Sequence, residues 1–122
     1  MILVITRMKV SSEKRMELSQ TIASLSDSIR MEKGCRRCDF CQSINDENRF
    51  FLLEEWDARE NLMMHLQSER FRVLRGAMNL LNEPYERMFH TVFHPVGLED
   101  INPGSDDLAP GEDGNKQVLI KG

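Results

Sequence analysis

Two side chains in one short stretch carry the chemistry of a reaction site. Residues Arg49–Phe71 read RFFLLEEWDARENLMMHLQSERF. Phe50–Leu53 form an apolar run too short for a helix, and the polar break after it favours a strand. Trp56 ends that strand, where its indole N–H is free to orient a ligand oxygen. Asp57 is in position to cap a helix, with Glu60 at the capping-box spacing. Within that helix His65 shares the inward face with Leu62. Imidazole is the side chain whose proton exchange ordinarily falls near neutral pH, so His65 is the acid/base candidate. Each residue also has an architectural reading: Trp56 as a core aromatic at a helix–sheet junction, His65 as a hydrogen-bonded core histidine.

The cysteines suggest a different chemistry and then withdraw it. Cys35, Cys38 and Cys41 have the spacing of cluster-binding loops. They fall on an expected strand, however, where alternation sends Cys38 to the face opposite Cys35 and Cys41. There is no fourth cysteine. Unlinked strand thiols and no metal site are expected. His90 and His94, four residues apart on a strand, are about 13 Å apart, too far to chelate one ion.

The elements that must position these residues follow from periodicity. Ile2–Val10 is a β-branched strand, apolar on both faces at its start. Ser11 and Ser12 are cap candidates for a helix from Glu13 to Glu32, with Leu18, Ile22, Leu25 and Ile29 in one stripe and Gly34 as its stop. Cys35–Ile44 and Arg49–Glu55 form a hairpin around the polar turn at 45–48. A helix over 58–66 is followed by a second over 69–82. Ser68 restarts it, Phe71, Leu74, Met78 and Leu81 form its stripe, and Pro84 ends it. Tyr85–Phe93 is the fourth strand. This β-α-β-β-α-β order predicts an α+β ferredoxin-like domain with a four-stranded antiparallel sheet and both helices on one face. Apolar residues of both parities (Val4, Phe50, Phe51, Leu52, Leu53, Phe89, Phe93) leave a second surface to cover, and an identical chain packed sheet to sheet is the expected partner.

Composition bounds the function. The 122 residues suit one domain, residues 1–94, followed by an acidic tail rich in proline and glycine over 95–122. The whole net charge of −4 is carried by residues 99–122. The body is balanced and has no basic stripe, which argues against nucleic acid. No run approaches a membrane span. The N-terminal strand lacks a basic leader, so a cytoplasmic location is expected. The acidic tail is expected to be a solvated linker; Gln117–Lys121 is its one segment with strand character, and docking on a partner subunit's sheet edge is the alternative.

These residues resemble the antibiotic biosynthesis monooxygenase domain family. The resemblance rests on Glu54–Trp56 and on His-Leu-x-Ser-x-x-Phe at His65–Phe71. Arg7–Val10, Glu32–Cys35 and Asn48–Phe50 fit in register. It spans roughly residues 2–94 and leaves the tail uncovered. It implies a dimeric α/β barrel with a cleft between sheet and helices in each subunit. Members include cofactor-free oxygenases of polycyclic phenols, quinol monooxygenases, haem degraders and a sugar-phosphate isomerase. Haem degraders use an Asn on the first strand, a Trp ending the third and a His in the last helix; here Trp56 matches the second, while the other two positions hold Thr6 and fall near Arg75. An arginine is no ordinary axial ligand, so haem degradation is not expected. A further family histidine, just before the helix phenylalanine, is Arg70 here.

The expected function is therefore a monooxygenase of quinols or polycyclic phenols that needs no cofactor. His65 and Trp56 would be catalytic, and Leu53, Phe71, Phe89 and Arg75 would contact an apolar or aromatic substrate that reacts with O2. The alternatives are a dimeric ligand-binding or stress-response module without chemistry, and an isomerase that uses Arg70 or Arg75 to hold a phosphate.

Overall fold

The computed structural model describes residues 1–93 and the strand Gln117–Lys121. The elements are β1 (Ile2–Lys9), α1 (Arg15–Ile29), β2 (Cys35–Gln42), β3 (Arg49–Trp56), α2 (Arg59–Leu66), α3 (Glu69–Ala77), a 3-10 turn at Met78–Leu80, β4 (Glu86–Thr91) and β5 (Gln117–Lys121). All pairings are antiparallel and the strand order is β2-β3-β1-β4-β5. The first four strands are the expected ferredoxin-like sheet. The tail strand β5 adds a fifth, on the chain's own β4. The rest of the tail, and His94, lie outside the described residues.

The alternation of β1 and β3 places the core. Val4, Thr6 and Met8 pair with Glu54, Leu52 and Phe50, and all six are at most 3% exposed. With Trp56 and Val10 they form the face beneath the helices. Leu18, Ile22 and Ile29 of α1 close onto it, as do Leu62 of α2 and Phe71 and Leu74 of α3. Leu25 packs only partly, and Ser26 is the fully buried residue beside it. Leu3, Ile5, Phe51, Leu53 and Met88 point to the other face and are half-buried.

Three local expectations are corrected. Neither Ser11 nor Ser12 caps α1, which begins at Arg15 behind Lys14 with no side-chain cap. Nor does Asp57 cap α2: the cap position is Ala58, and Asp57 Oδ1 instead accepts from Asn61 Nδ2 at 2.8 Å. The third concerns the cysteines. A β-bulge between Cys35 and Arg37 shifts the register, so Cys35 pairs with Trp56 and Cys38 with Glu54. Both therefore share the helix face, while Cys41, opposite Phe51, takes the other. The extra residue reverses the parity that strict alternation assigns. Burial, with Glu54 nearby, pushes the Cys35 thiol up to about 11 and raises Cys38 as well. Such thiols are poor nucleophiles and poor metal ligands.

Candidate active site

Burial of a carboxylate is the unusual feature of the helix face. Glu54 follows Phe50 and Leu52 in the inward alternation of β3 and is 2% exposed. An unsatisfied charge there would be costly, and it is met on several sides. The Trp56 Nε1–H donates to Glu54 Oε1 at 3.1 Å, two residues along the same strand face. His65 Nε2 lies 3.4 Å from the same oxygen. Loss of water holds the Glu54 carboxyl above its usual range, opposed by His65, by Arg87 and by the Trp56 hydrogen bond.

His65 is held from every direction. Its ring stacks on Trp56 with centroids 4.6 Å apart and meets the edge of Phe71 at 5.5 Å. Nδ1 is 2.9 Å from Glu32 Oε2. A carboxylate oxygen offers only acceptor sites, so a proton on Nδ1 completes that contact. Nε2 faces Glu54 Oε1, sealed from solvent and without a hydrogen-bond partner among the described residues. An imidazole nitrogen and a carboxyl oxygen facing each other in a dry interior are placed to share one proton.

The local sequence explains the placement. Ser68 is the joint between α2 and α3. Its Oγ–H donates to the His65 carbonyl at 2.7 Å, and the same oxygen accepts the Phe71 N–H at 3.2 Å. The spacing His-x-x-Ser-x-x-Phe thus fixes His65 and Phe71 from one hydroxyl, and it is an N-cap of the usual kind. Glu32 sits in the turn after α1. The Asp57 N–H donates to the Gly34 carbonyl at 2.9 Å and ties that turn to the end of β3. Gly34 has φ +83°, and a Cβ there would collide with Asp57 and lie 2.5 Å from Asn61 Nδ2. Only glycine fits such a crossing without strain.

Beyond Phe71 lies a second buried charge. Arg87, on the inward parity of β4, is 4% exposed. Its Nε–H donates to Thr6 Oγ1 at 3.3 Å, and its guanidinium carbon lies 4.6 Å from the Phe71 ring and 5.4 Å from that of Tyr85. Nη2 is buried, without a partner among the described residues. Burial lowers the Arg87 pKa, and the negative charge of Glu54 opposes this.

The structure thus brings together Trp56, His65 and Phe71, with Phe89 packed partly against the same core. Leu53 is not with them; it is on the far face of β3, opposite Ile5. Arg75 is exposed, one turn beyond Phe71, on the wall of a groove of about 500 Å3 that also includes Tyr85. Sequence reasoning missed Glu54, Glu32 and Arg87. The parity of β3 held the signal for Glu54, because it shares the face of Leu52 and Trp56. Among the described residues no three His, Cys, Asp or Glu side chains are arranged to hold a metal ion, and no helix is long and apolar enough to cross a membrane.

An antiparallel ferredoxin-like sheet with a Trp–His–carboxylate cluster under its helices defines a small α+β protein. The sequence pattern of the antibiotic biosynthesis monooxygenase family matches residues 1–76, and the chain belongs to that family. A proposed antibiotic biosynthesis monooxygenase from Deinococcus radiodurans has the same fold, with TM-score 0.72 and 16% identity over 80% of this chain and 97% of that one. A conserved protein of Methanosarcina mazei gives 0.69 and 24%, over 73% and 89%. A proposed heme-binding protein of Haloquadratum walsbyi is 32% identical over 81 residues, which is 66% of this chain and 15% of that protein. The chain therefore spans a small part of that relative's length.

Proposed function

We propose that this protein is a monooxygenase of electron-rich phenols or quinols in which the protein supplies a base and the substrate supplies the electrons. The facing atoms His65 Nε2 and Glu54 Oε1 carry this reading. Deprotonation of an acidic O–H or activated C–H makes an anion rich enough in electrons to react directly with O2. One oxygen atom enters the carbon, and the other leaves as water with two hydrogens from the substrate. The proton taken up settles between Nε2 and Glu54. Nδ1 passes its own proton to Glu32, whose side chain is 11% exposed and is the outlet to solvent. Trp56 is a positioning residue: it holds Glu54 by hydrogen bond and His65 by stacking. Phe71 is the wall between this seat and Arg87. The half-buried apolar face of the sheet, Leu53 included, packs against a second copy of the chain.

Haem is the alternative ligand, because the Haloquadratum relative is named for it. The residues do not fit. The His65 ring is stacked on Trp56 and in edge contact with Phe71, and both of its nitrogens face carboxylates. The positions compared with haem degraders hold a buried Thr6 and an exposed Arg75.

Oxygen uptake with a panel of quinols and polycyclic phenols tests the proposal. Turnover is expected in the wild type, with a loss of about 100-fold or more in His65→Gln, the usual scale for a general base. Unchanged turnover in a folded His65→Gln would reject the mechanism. Saturable binding with no oxygen uptake across the panel would favour a binding module.

A further inference from the structure

The groove over Arg75–Tyr85 carries a feature that neither the fold nor the proton seat explains. Its polar lining includes Arg75, Asn79, Asn82, Glu83 and Tyr85, and its volume of about 500 Å3 falls within the usual range for small-ligand sites. Behind Tyr85 stands Arg87, almost wholly buried. Among the described residues neither guanidinium forms an ion pair. Among the described residues Arg87 Nη2 has no hydrogen-bond partner. An arginine on the groove and a dehydrated one beside its tyrosine, short of an acceptor, form an arrangement that an anion would complete. Glu83 is the opposing charge on the rim. Tyr85, Arg87 and most of the groove lie beyond the 76 residues that match the family pattern.

We propose that the groove is an anion-reading substrate subsite, in which Arg75 at the mouth and Arg87 behind Tyr85 select aromatic molecules carrying an ionised oxygen substituent. Tyr85 supplies a face for the ring, and Arg75 supplies a paired fork for a carboxylate or phenolate. This deepens the oxygenase reading, because it names the class of substrate that the same site takes. Phe71 links the two regions, since its ring touches both His65 and Arg87.

Titration calorimetry with anthracene-9-carboxylate and the neutral 9-anthracenemethanol tests it. The wild type is expected to bind the carboxylate about tenfold more tightly or better, the scale of one charged hydrogen bond. Arg75→Gln should remove most of that preference and leave the alcohol's affinity unchanged. Arg87→Met should do the same where circular dichroism shows it folded. Arg75 is exposed, so its variant and the wild-type comparison decide the matter alone if Arg87→Met does not fold. Equal affinities, binding of neither probe, or a preference that survives Arg75→Gln would overturn the subsite. Binding is read without turnover, so the two readings fail separately. A carboxylate preference without oxygen uptake on any substrate would remove the oxygenase and keep the subsite. Oxygen uptake without a preference would do the reverse.

Discussion

Leu53 and Glu54 are neighbours in sequence and opposites in environment. The leucine is half-buried on the open face of β3, while the carboxylate is 2% exposed on the helix face. Burial by polarity alone would reverse them. The inversion shows that the two faces serve different ends. The helix face accepts the cost of a dehydrated carboxylate and surrounds it with an indole N–H, an imidazole and a distant guanidinium. The open face keeps Ile5, Phe51, Leu53 and Met88 half-exposed, a surface that suits a second chain.

Substitutions that strike one face and spare the other would break or sharpen this contrast. The largest effect is expected at Trp56, which is fully buried and holds both Glu54 and His65. Trp56→Ala should cost about 3–5 kcal/mol in chemical denaturation. Gly34→Ala should cost about 1–3 kcal/mol, because the positive φ and the contact with Asp57 and Asn61 both oppose a side chain. It should also lower oxygen uptake, since the same turn carries Glu32.

Glu54→Gln is expected to act through pH. The folded state holds the Glu54 carboxyl above its ordinary value of 4.5, chiefly by burial. A group raised in this way supports the fold fully below its unfolded pKa and loses that support as pH rises through its folded pKa. The wild type should therefore lose stability relative to Glu54→Gln as pH climbs from about 4.5. Melting temperatures of both proteins from pH 4 to 8 check the sign, and a difference independent of pH would contradict it. The smallest effect on the fold is expected on the open face. Leu53→Lys should alter the stability of the isolated chain by only about 0.5 kcal/mol, yet halve the mass seen by light scattering. An unchanged mass would remove the proposed dimer contact.

The order of elements was legible because periods of 2 and 3.6 alternate along the chain with clear breaks. The Ser68 cap and the meeting of Trp56 with His65 were legible for the same reason, being set by spacing over a few residues. The rest depended on packing across distance. Glu32 follows α1 and reaches His65 only because Gly34 folds its turn onto the end of β3. Arg87 reads as a surface charge until Thr6 and Phe71 are placed around it. The bulge at Cys35/Arg37 defeated simple alternation, as one inserted residue always does. Asp57 had the composition of a cap but found a nearer partner in Asn61.

The central claim is that the Glu32–His65–Glu54 cluster removes a proton from carbon or oxygen before O2 takes part. Deuterium exchange in D2O under strict exclusion of O2, followed by NMR at the activated methylene of a polycyclic phenol, isolates that step. The wild type should accelerate exchange over buffer, and His65→Gln should reduce that acceleration by about 100-fold or more. Equal exchange in a folded His65→Gln, or no acceleration on substrates that the wild type oxidises, would contradict it.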